Sequence, residues 1–421
     1  MTRKNINLYS PRPRGPQSLG QTHSRPVLHR ARLVVPITQP AIEDGAVVVA
    51  DDVILDVGPF QQLRRQWLEA QARDHGEVAL LPALVNAHAH LDLSGLAGQV
   101  RAKGSMAEWI RSLLAVGESV DAEELMIAQA EALASMHALG TGIVGDISSS
   151  GRFVGEDIQG MILTRTFVEL FGLHDDSLEE ALSRLPDHAR QALTNGEEEV
   201  SLAAHAPYTT SAALIKEVKA WGSERAKIIT IHAAESEEEI LFLHTGRGPL
   251  RDLLEERGMD PDRWQPPECG AITYLDRLDF LDGLSLCVHV VKVDEEEIHL
   301  LKNSGAAVCL CPRSNLFLGH GLPPVNQLLE AEISCGLGTD SLASNDDLNL
   351  FKEMAVLMDQ CGIGPDTVLK MATHNGARNL GLAELYGSLE KGKRWLAIRV
   401  TAQDVESIVS AGCQGVLEWL R

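Results

Sequence analysis

From Pro82 onward the chain alternates short apolar runs with long helical stretches, and the alternation recurs eight times. The runs read ALVNAHAH, GIVGDIS, TRTFVEL, VSLAAHAP, IITIHAAE, LSLCVHV, AAVCLCP and ISCGLGTD. Between most of them lie amphipathic segments such as AEELMIAQAEALASMHAL and TSAALIKEVKAWGSERA. Strands apolar on both faces and separated by helices must be parallel, with the helices as crossovers. Eight such units predict an α/β fold, a (β/α)8 TIM-type barrel. Aromatic residues are only 4% of the chain, so the core must be built from Leu, Val, Ile and Ala, the residues that fill such barrels.

Two further regions flank the barrel. ARLVVPI and GAVVVADDVILDVG are short β-branched runs broken by Pro, Gly and Asp, which predict a small antiparallel β unit. YGSLEKGKRWLAIRV, after the last helical segment, reads as a return to it. The expected organisation is a small β domain and C-terminal segment from residues 26–81 and 386–421, a barrel over 82–385, and a disordered tail over 1–25. One connection is long: an acidic helix near Ser236 leads into a stretch that reaches Gly283, the kind of excursion that covers or lines a site.

Ligand-type side chains recur at the C-terminal ends of the predicted strands, the face on which barrels carry their sites. His88 and His90 flank Ala89, and residues two apart on a strand share a side. His232 ends the fifth run, His289 the sixth and Asp340 the eighth. Buried imidazoles and carboxylates need partners, and a shared divalent cation would satisfy all five. Glu235, three residues after His232, falls where a proton shuttle would stand; a helix-start carboxylate complementing the dipole is the alternative. His205, at the fourth strand end, reads as a substrate contact or as a core histidine, and Thr209 or Thr210 as a helix cap.

In order, NAHAHLDLS, HAPYTTS, HAAES, VHV, CPRSN, LGTDSLASN and THNGARNLG resemble the signature of the amidohydrolase superfamily, from about Val27 to Val400. The similarity is greatest to its deaminase and chlorohydrolase branch, which includes aminodeoxyfutalosine and methylthioadenosine/S-adenosylhomocysteine deaminases and guanine and triazine hydrolases. The resemblance implies His88, His90, His232 and Asp340 as metal ligands, with Glu235, His289 and Asp340 as catalytic groups. It implies one divalent ion, zinc or alternatively iron; no lysine stands at a strand end to bridge a second. It also implies a metal-dependent hydrolase releasing ammonia from an adenine-type nucleoside, the alternative being a guanine or triazine C–N or C–Cl hydrolase on the same fold. A catalytically inactive scaffold is the distant third reading, against which every ligand is retained. Glu118, nine residues after Trp109, falls where relatives bind ribose, with helix-surface charge as the other reading, and Trp109 is expected to be a substrate-binding residue beside it. Arg313 could pair with a substrate carboxylate or form a structural ion pair. The chain departs from the family after EKGK, where Arg394, Trp395 and Leu396 replace the usual Ala-Asp-Leu.

Charge narrows the partners. Lys plus Arg number 37 against 59 Asp plus Glu, a net charge of −22 that repels phosphate backbones and disfavours nucleic acid. The zinc deaminases of nucleic-acid bases need His-x-Glu with Pro-Cys-x-x-Cys, which is absent. No apolar stretch reaches the ~20 residues of a membrane span. The basic N-terminus lacks the apolar segment of a secretory signal. Seven cysteines, most within apolar runs, read as reduced thiols, and a cytoplasmic location is expected. The expected partner is a small-molecule substrate, with a homodimer as the default assembly.

Overall fold

The structure is a computed structural model that describes residues 24–101, 104–151, 162–174 and 177–420. The expected disordered tail falls mostly on residues 1–23, outside the described residues. Ser24 and Arg25, its last two positions, bond Asp51 Oδ1 and Glu69 O.

Strands β1 (Val27–Val34), β2 (Ile42–Ala50), β3 (Val53–Pro59), β4 (Gln71–Asp74) and β5 (Ala79–Pro82) open the chain. The barrel strands follow as β6 (Leu84–Ala89), β7 (Thr141–Ser148), β8 (Leu163–Leu170), β9 (Val200–Ala204), β10 (Ile229–Ala233), β11 (Ser285–His289), β12 (Ala307–Leu310) and β13 (Cys335–Leu337). Strands β14 (Ala397–Val400) and β15 (Leu417–Leu420) end it. The first sheet runs β15-β14-β5-β1-β2-β3, with β4 also on β1. It is mixed rather than antiparallel, because β4 and β5 pair β1 in parallel. The helix Phe60–Gln66 between β3 and β4 carries the chain back for a parallel strand, which a tight hairpin cannot do.

All eight predicted barrel runs are strands, parallel and in sequence order from β6 to β13. Alternate residues serve two apolar layers. Leu202, Ala204, Ile229, Ile231, Val308 and Leu310 join the cluster with helix residues such as Val218 and Leu301, while Ala203, Phe167, Val288 and Cys309 form a second. Both faces are buried, so the runs show no polar alternation. The ends of helices are written in the sequence: Ser177, Ser211, Ser236, Asp294 and Asn349 accept a backbone N–H at N-caps. Gly196, Gly246, Gly305, Gly319 and Gly362 take the left-handed cap at C-termini.

First and last barrel strands meet through a parallel bridge between Ala89 and Asp340. The backbone N–H groups of Thr339 and Asp340 both donate to His88 O, at 3.1 and 3.2 Å. This closure brings the two ends of the ligand pattern together. The long connection between β10 and β11 forms helices Glu237–Thr245, Pro249–Glu256 and Ala271–Arg277. It docks on helix Met106–Gly117, where Arg111 grips Glu256 with two bonds of 2.7 and 2.9 Å. Trp395, one of the residues replacing the usual Ala-Asp-Leu, is buried in the small sheet's core. Among the described residues no helix is long and apolar enough to cross a membrane.

Candidate metal and active site

His88, His90, His232, His289, Glu235 and Asp340 are all buried and stand together at the strand ends. The ring of His88 lies 4.9 Å from that of His90, 5.0 Å from His232 and 5.9 Å from His289, centre to centre. Asp340 Oδ1 is 3.7 Å from Nε2 of both His88 and His90. Nε2 of His90 and Nε2 of His232 are 3.2 Å apart. A tetrahedral ion with bonds of about 2.0–2.1 Å holds its ligand atoms roughly 3.3 Å apart, so the spacing fits one cation. Both ring nitrogens of His88 and Nδ1 of His90 are buried without a hydrogen-bond partner, which packing alone does not explain. Two ligand-type groups fall within 4.8 Å here, His88 with His232 and His289, and His88 with His90 and Asp340. The donor set of imidazole and carboxylate suits a divalent ion. A third grouping, Glu169 with His205 and His232, would require His232 to serve two ions, and its Nδ1 already donates to His205 O at 2.8 Å.

The protonation states suit the same use. Burial lowers His232 to about 4, aided by His88. Burial also holds His90 and His289 well below the usual histidine range. Neutral imidazoles have lone pairs to give. For Asp340, burial opposes ionisation, but the close approach of His88 and the fields of His90 and His289 outweigh it, and the carboxyl sits well below its usual range. Its other oxygen accepts from Ser314 Oγ at 2.5 Å and Ser344 Oγ at 2.8 Å.

Glu235 Oε1 lies 3.6 Å from His289 Nε2. Burial, with Asp340 and Glu239 nearby, raises its carboxyl well above the ordinary range, which favours the protonated form. Asn315 Nδ2 donates to His289 Nδ1 at 3.0 Å, which leaves the Nε2 proton facing Glu235. The backbone bends sharply at these ends. Ala234, His289, Val290 and Asp340 all have φ between +50° and +75°, a region that side chains with a Cβ seldom adopt.

The remaining predicted residues lie further out. His205 donates from Nδ1 to Thr209 Oγ1 at 2.5 Å and its ring stacks on Phe171, 4.4 Å between centres. The helix cap expected at Thr209 or Thr210 is Ser211 instead, whose hydroxyl accepts Leu214 N; Thr209 is committed to His205. Trp109 donates from Nε1 to Ala343 O at 3.2 Å. Glu118 is exposed and 3.9 Å from Arg257 Nη1. Arg313 Nη1 pairs with Asp347 Oδ1 at 2.7 Å.

Several neighbours escaped the sequence. Glu169, at the end of β8, is buried and 3.6 Å from His232 Nδ1, with its carboxyl pushed up to about 8 by burial. The available signal was an acid beside the end of the otherwise apolar run TRTFVEL. Ser314 and Asn315 stood in view in CPRSN without a role. Ser344 and Glu239 carried no signal that separates them from ordinary loop and helix-start residues.

A model of the Amidohydrolase family matches residues 79–416, and one of a bacterial imidazolonepropionase-like composite domain matches residues 45–67. The 5-methylthioadenosine/S-adenosylhomocysteine deaminase of Saccharophagus degradans is 30% identical over 387 residues, covering 86% of this chain and 80% of its own. The aminodeoxyfutalosine deaminase of Deinococcus radiodurans is 28% identical over 369 residues, 83% of this chain and 84% of its own. A zinc-bound adenosine deaminase from Xanthomonas campestris superposes with a TM-score of 0.73 at 25% identity, covering 93% of this chain and 90% of that one. With the family match running from β5 through the whole barrel, the chain belongs to the amidohydrolase family.

Proposed function

We propose that the chain is a metal-dependent hydrolytic deaminase of an adenine-type nucleoside, such as aminodeoxyfutalosine, methylthioadenosine, S-adenosylhomocysteine or adenosine. The observation that carries this reading is the convergence of His88, His90 and His232 with Asp340, beside a Glu235–His289 pair. The names of the relatives support the substrate class. A divalent ion held by His88, His90, His232 and Asp340, zinc on the chemistry of the donors and the zinc-bound neighbour, would lower the pKa of water toward neutrality.

The chain's own groups then move the protons. Glu235 in its protonated form donates to N1 of the purine, which leaves C6 electron-poor. Asp340, held ionised, accepts a hydrogen bond from the incoming water, and His289 orients it through Nε2. Water adds at C6 as its first proton passes to Glu235, which delivers it to the exocyclic amine; the C–N bond then breaks, ammonia leaves, and the remaining hydroxyl proton returns to Glu235 as the 6-oxo group forms. His205 faces the ring, with Nδ1 fixed by Thr209 and Nε2 left as an acceptor. Glu118 is proposed to bind the ribose hydroxyls from helix Met106–Gly117, with Trp109 walling the same side. The free cysteines, five of the seven buried, support a reducing compartment such as the cytoplasm.

The test is ammonia release from aminodeoxyfutalosine, methylthioadenosine, S-adenosylhomocysteine and adenosine, beside guanine and a triazine, with metal analysis of the same preparation. Release from an adenine nucleoside at about one metal per chain is expected. Release from guanine or the triazine alone moves the reading to another branch of the family.

A further inference from the structure

Three consecutive glutamates open the helix Glu237–Thr245, and they do different things. Glu237 pairs with Lys292 at 2.9 Å, and Glu238 accepts Ala107 N at 3.0 Å. Glu239 is 1% exposed and turns back on its own chain: Oε1 accepts Ala234 N at 3.1 Å and Oε2 accepts Glu235 N at 2.7 Å. The first of those residues, Ala234, sits at φ +55°, in the left-handed region. Its carbonyl is held as well, accepting the N–H groups of Val291 and Lys292, both at 2.8 Å. A strained alanine peptide is thus fixed from both sides, and the side chain it turns is Glu235.

From this geometry we infer that Glu239 is a positioning residue: its carboxylate holds the Ala234–Glu235 backbone in the conformation that points Glu235 at His289. The inference rests on the reading of Glu235 as the proton carrier. Both backbone N–H groups would otherwise be buried without a partner, because the helix begins beyond them. A carboxylate has two acceptor oxygens, one for each N–H, whereas a carboxamide has a single one. A small misplacement of a catalytic group can cost about a hundredfold in rate.

The test compares Glu239→Gln with Ser236→Ala. Ser236 caps the same helix by accepting Glu239 N at 3.1 Å, and its loss weakens the helix while leaving the clamp intact. Both variants are expected to lower the melting temperature. E239Q alone is expected to lower kcat, by about tenfold to a hundredfold, with KM within about twofold and metal content unchanged. Its crystal structure should show Ala234 out of the left-handed region or Glu235 turned away from His289. A crystal structure of E239Q with Ala234 at positive φ and Glu235 still 3.6 Å from His289 Nε2 overturns the inference. Equal loss of kcat in S236A and E239Q also overturns it, since helix stability would then be the cause. Should E239Q fail to fold, Glu239→Asp, too short to span both N–H groups, takes the same measurements. If the wild type releases no ammonia from any nucleoside the proposed function falls, while the crystallographic comparison still decides what Glu239 does.

Discussion

His90 and His232, which are 142 positions apart in the chain, face each other with their Nε2 atoms 3.2 Å apart and their rings within 13° of parallel. His232 donates from Nδ1 to His205 O, so its Nε2 carries a lone pair aimed at the other ring. Burial keeps both rings neutral, so the gap is bridged by one Nε2–H or by a cation, and Asp340 Oδ1, 3.7 Å from Nε2 of both His88 and His90, supplies the negative charge a cation would need. His232→Ala should therefore reduce bound metal from about one per chain to a small fraction after dialysis, read by elemental analysis. Chelation of the wild type should lower its melting temperature, because an ion at 100 times its Kd adds about 2.7 kcal/mol to the folded state. Unchanged metal content in H232A would remove this residue from the ligand set.

Glu235→Gln separates proton transfer from metal binding. The side chain keeps its size but cannot donate and recover a proton as a carboxyl does. Turnover should fall by at least about a hundredfold, the lower range of a general acid/base contribution. Metal content should stay near that of the wild type. Activity close to wild type in E235Q would end the assignment of Glu235 as the proton carrier.

Asp340 invites a subtler change. Ser314 and Ser344 both donate to its Oδ2, fixing the carboxylate so that Oδ1 faces His88 and His90. Groups that orient a metal ligand typically carry ten- to a hundredfold in affinity, by order of magnitude about 1.4 to 2.7 kcal/mol. Ser314→Ala should weaken metal binding within that range in a competition titration against a chelator of known affinity, with little change in thermal stability of the metal-free chain. Equal affinity in the two proteins would mean that Ser344 suffices to hold the carboxylate.

How much of this could be read beforehand depended on the range of the signal. The eight strands were visible because each is a local run, and His88, His90, His232, His289 and Asp340 because each stands at a run's end. What brings residue 88 beside residue 340 is closure of the barrel, a property of the whole sheet. Partners set by that closure were hidden. Nothing local in the run CPRSN pointed to Asp347 as the partner of Arg313. Glu169 looked like the edge of an apolar run, and Glu239 like one more acid at a helix start, until each proved buried against the cluster. The cap at Ser211 was missed because three hydroxyl residues stand in a row, and only geometry tells which one faces the helix.

The small sheet carries its own pH response. His29, on β1, is buried with Nδ1 3.0 Å from His75 Nε2, and the Trp395 ring lies 4.8 Å away, centre to centre. Arg399 Nη1 donates to His75 Nδ1 at 3.4 Å, so the proton of His75 is on Nε2 and His29 must accept it as a neutral ring. Burial, with His75 and Arg73 adding to it, lowers His29 to about 4 from 6.5. Between those values the unfolded chain binds the proton that the fold refuses, so stability falls as pH drops below 6.5 and the effect is complete below about 4. The shift sets an upper bound of about 3 kcal/mol, and above pH 6.5 the residue contributes no pH dependence. His29→Gln keeps an acceptor for His75 without a titrating ring. Melting curves from pH 7 to pH 4.5 should therefore be flatter for the variant than for the wild type, both stripped of metal. Parallel curves would assign the acid sensitivity to other histidines with lowered pKa, such as His75, His320 and those of the metal cluster, instead of to His29.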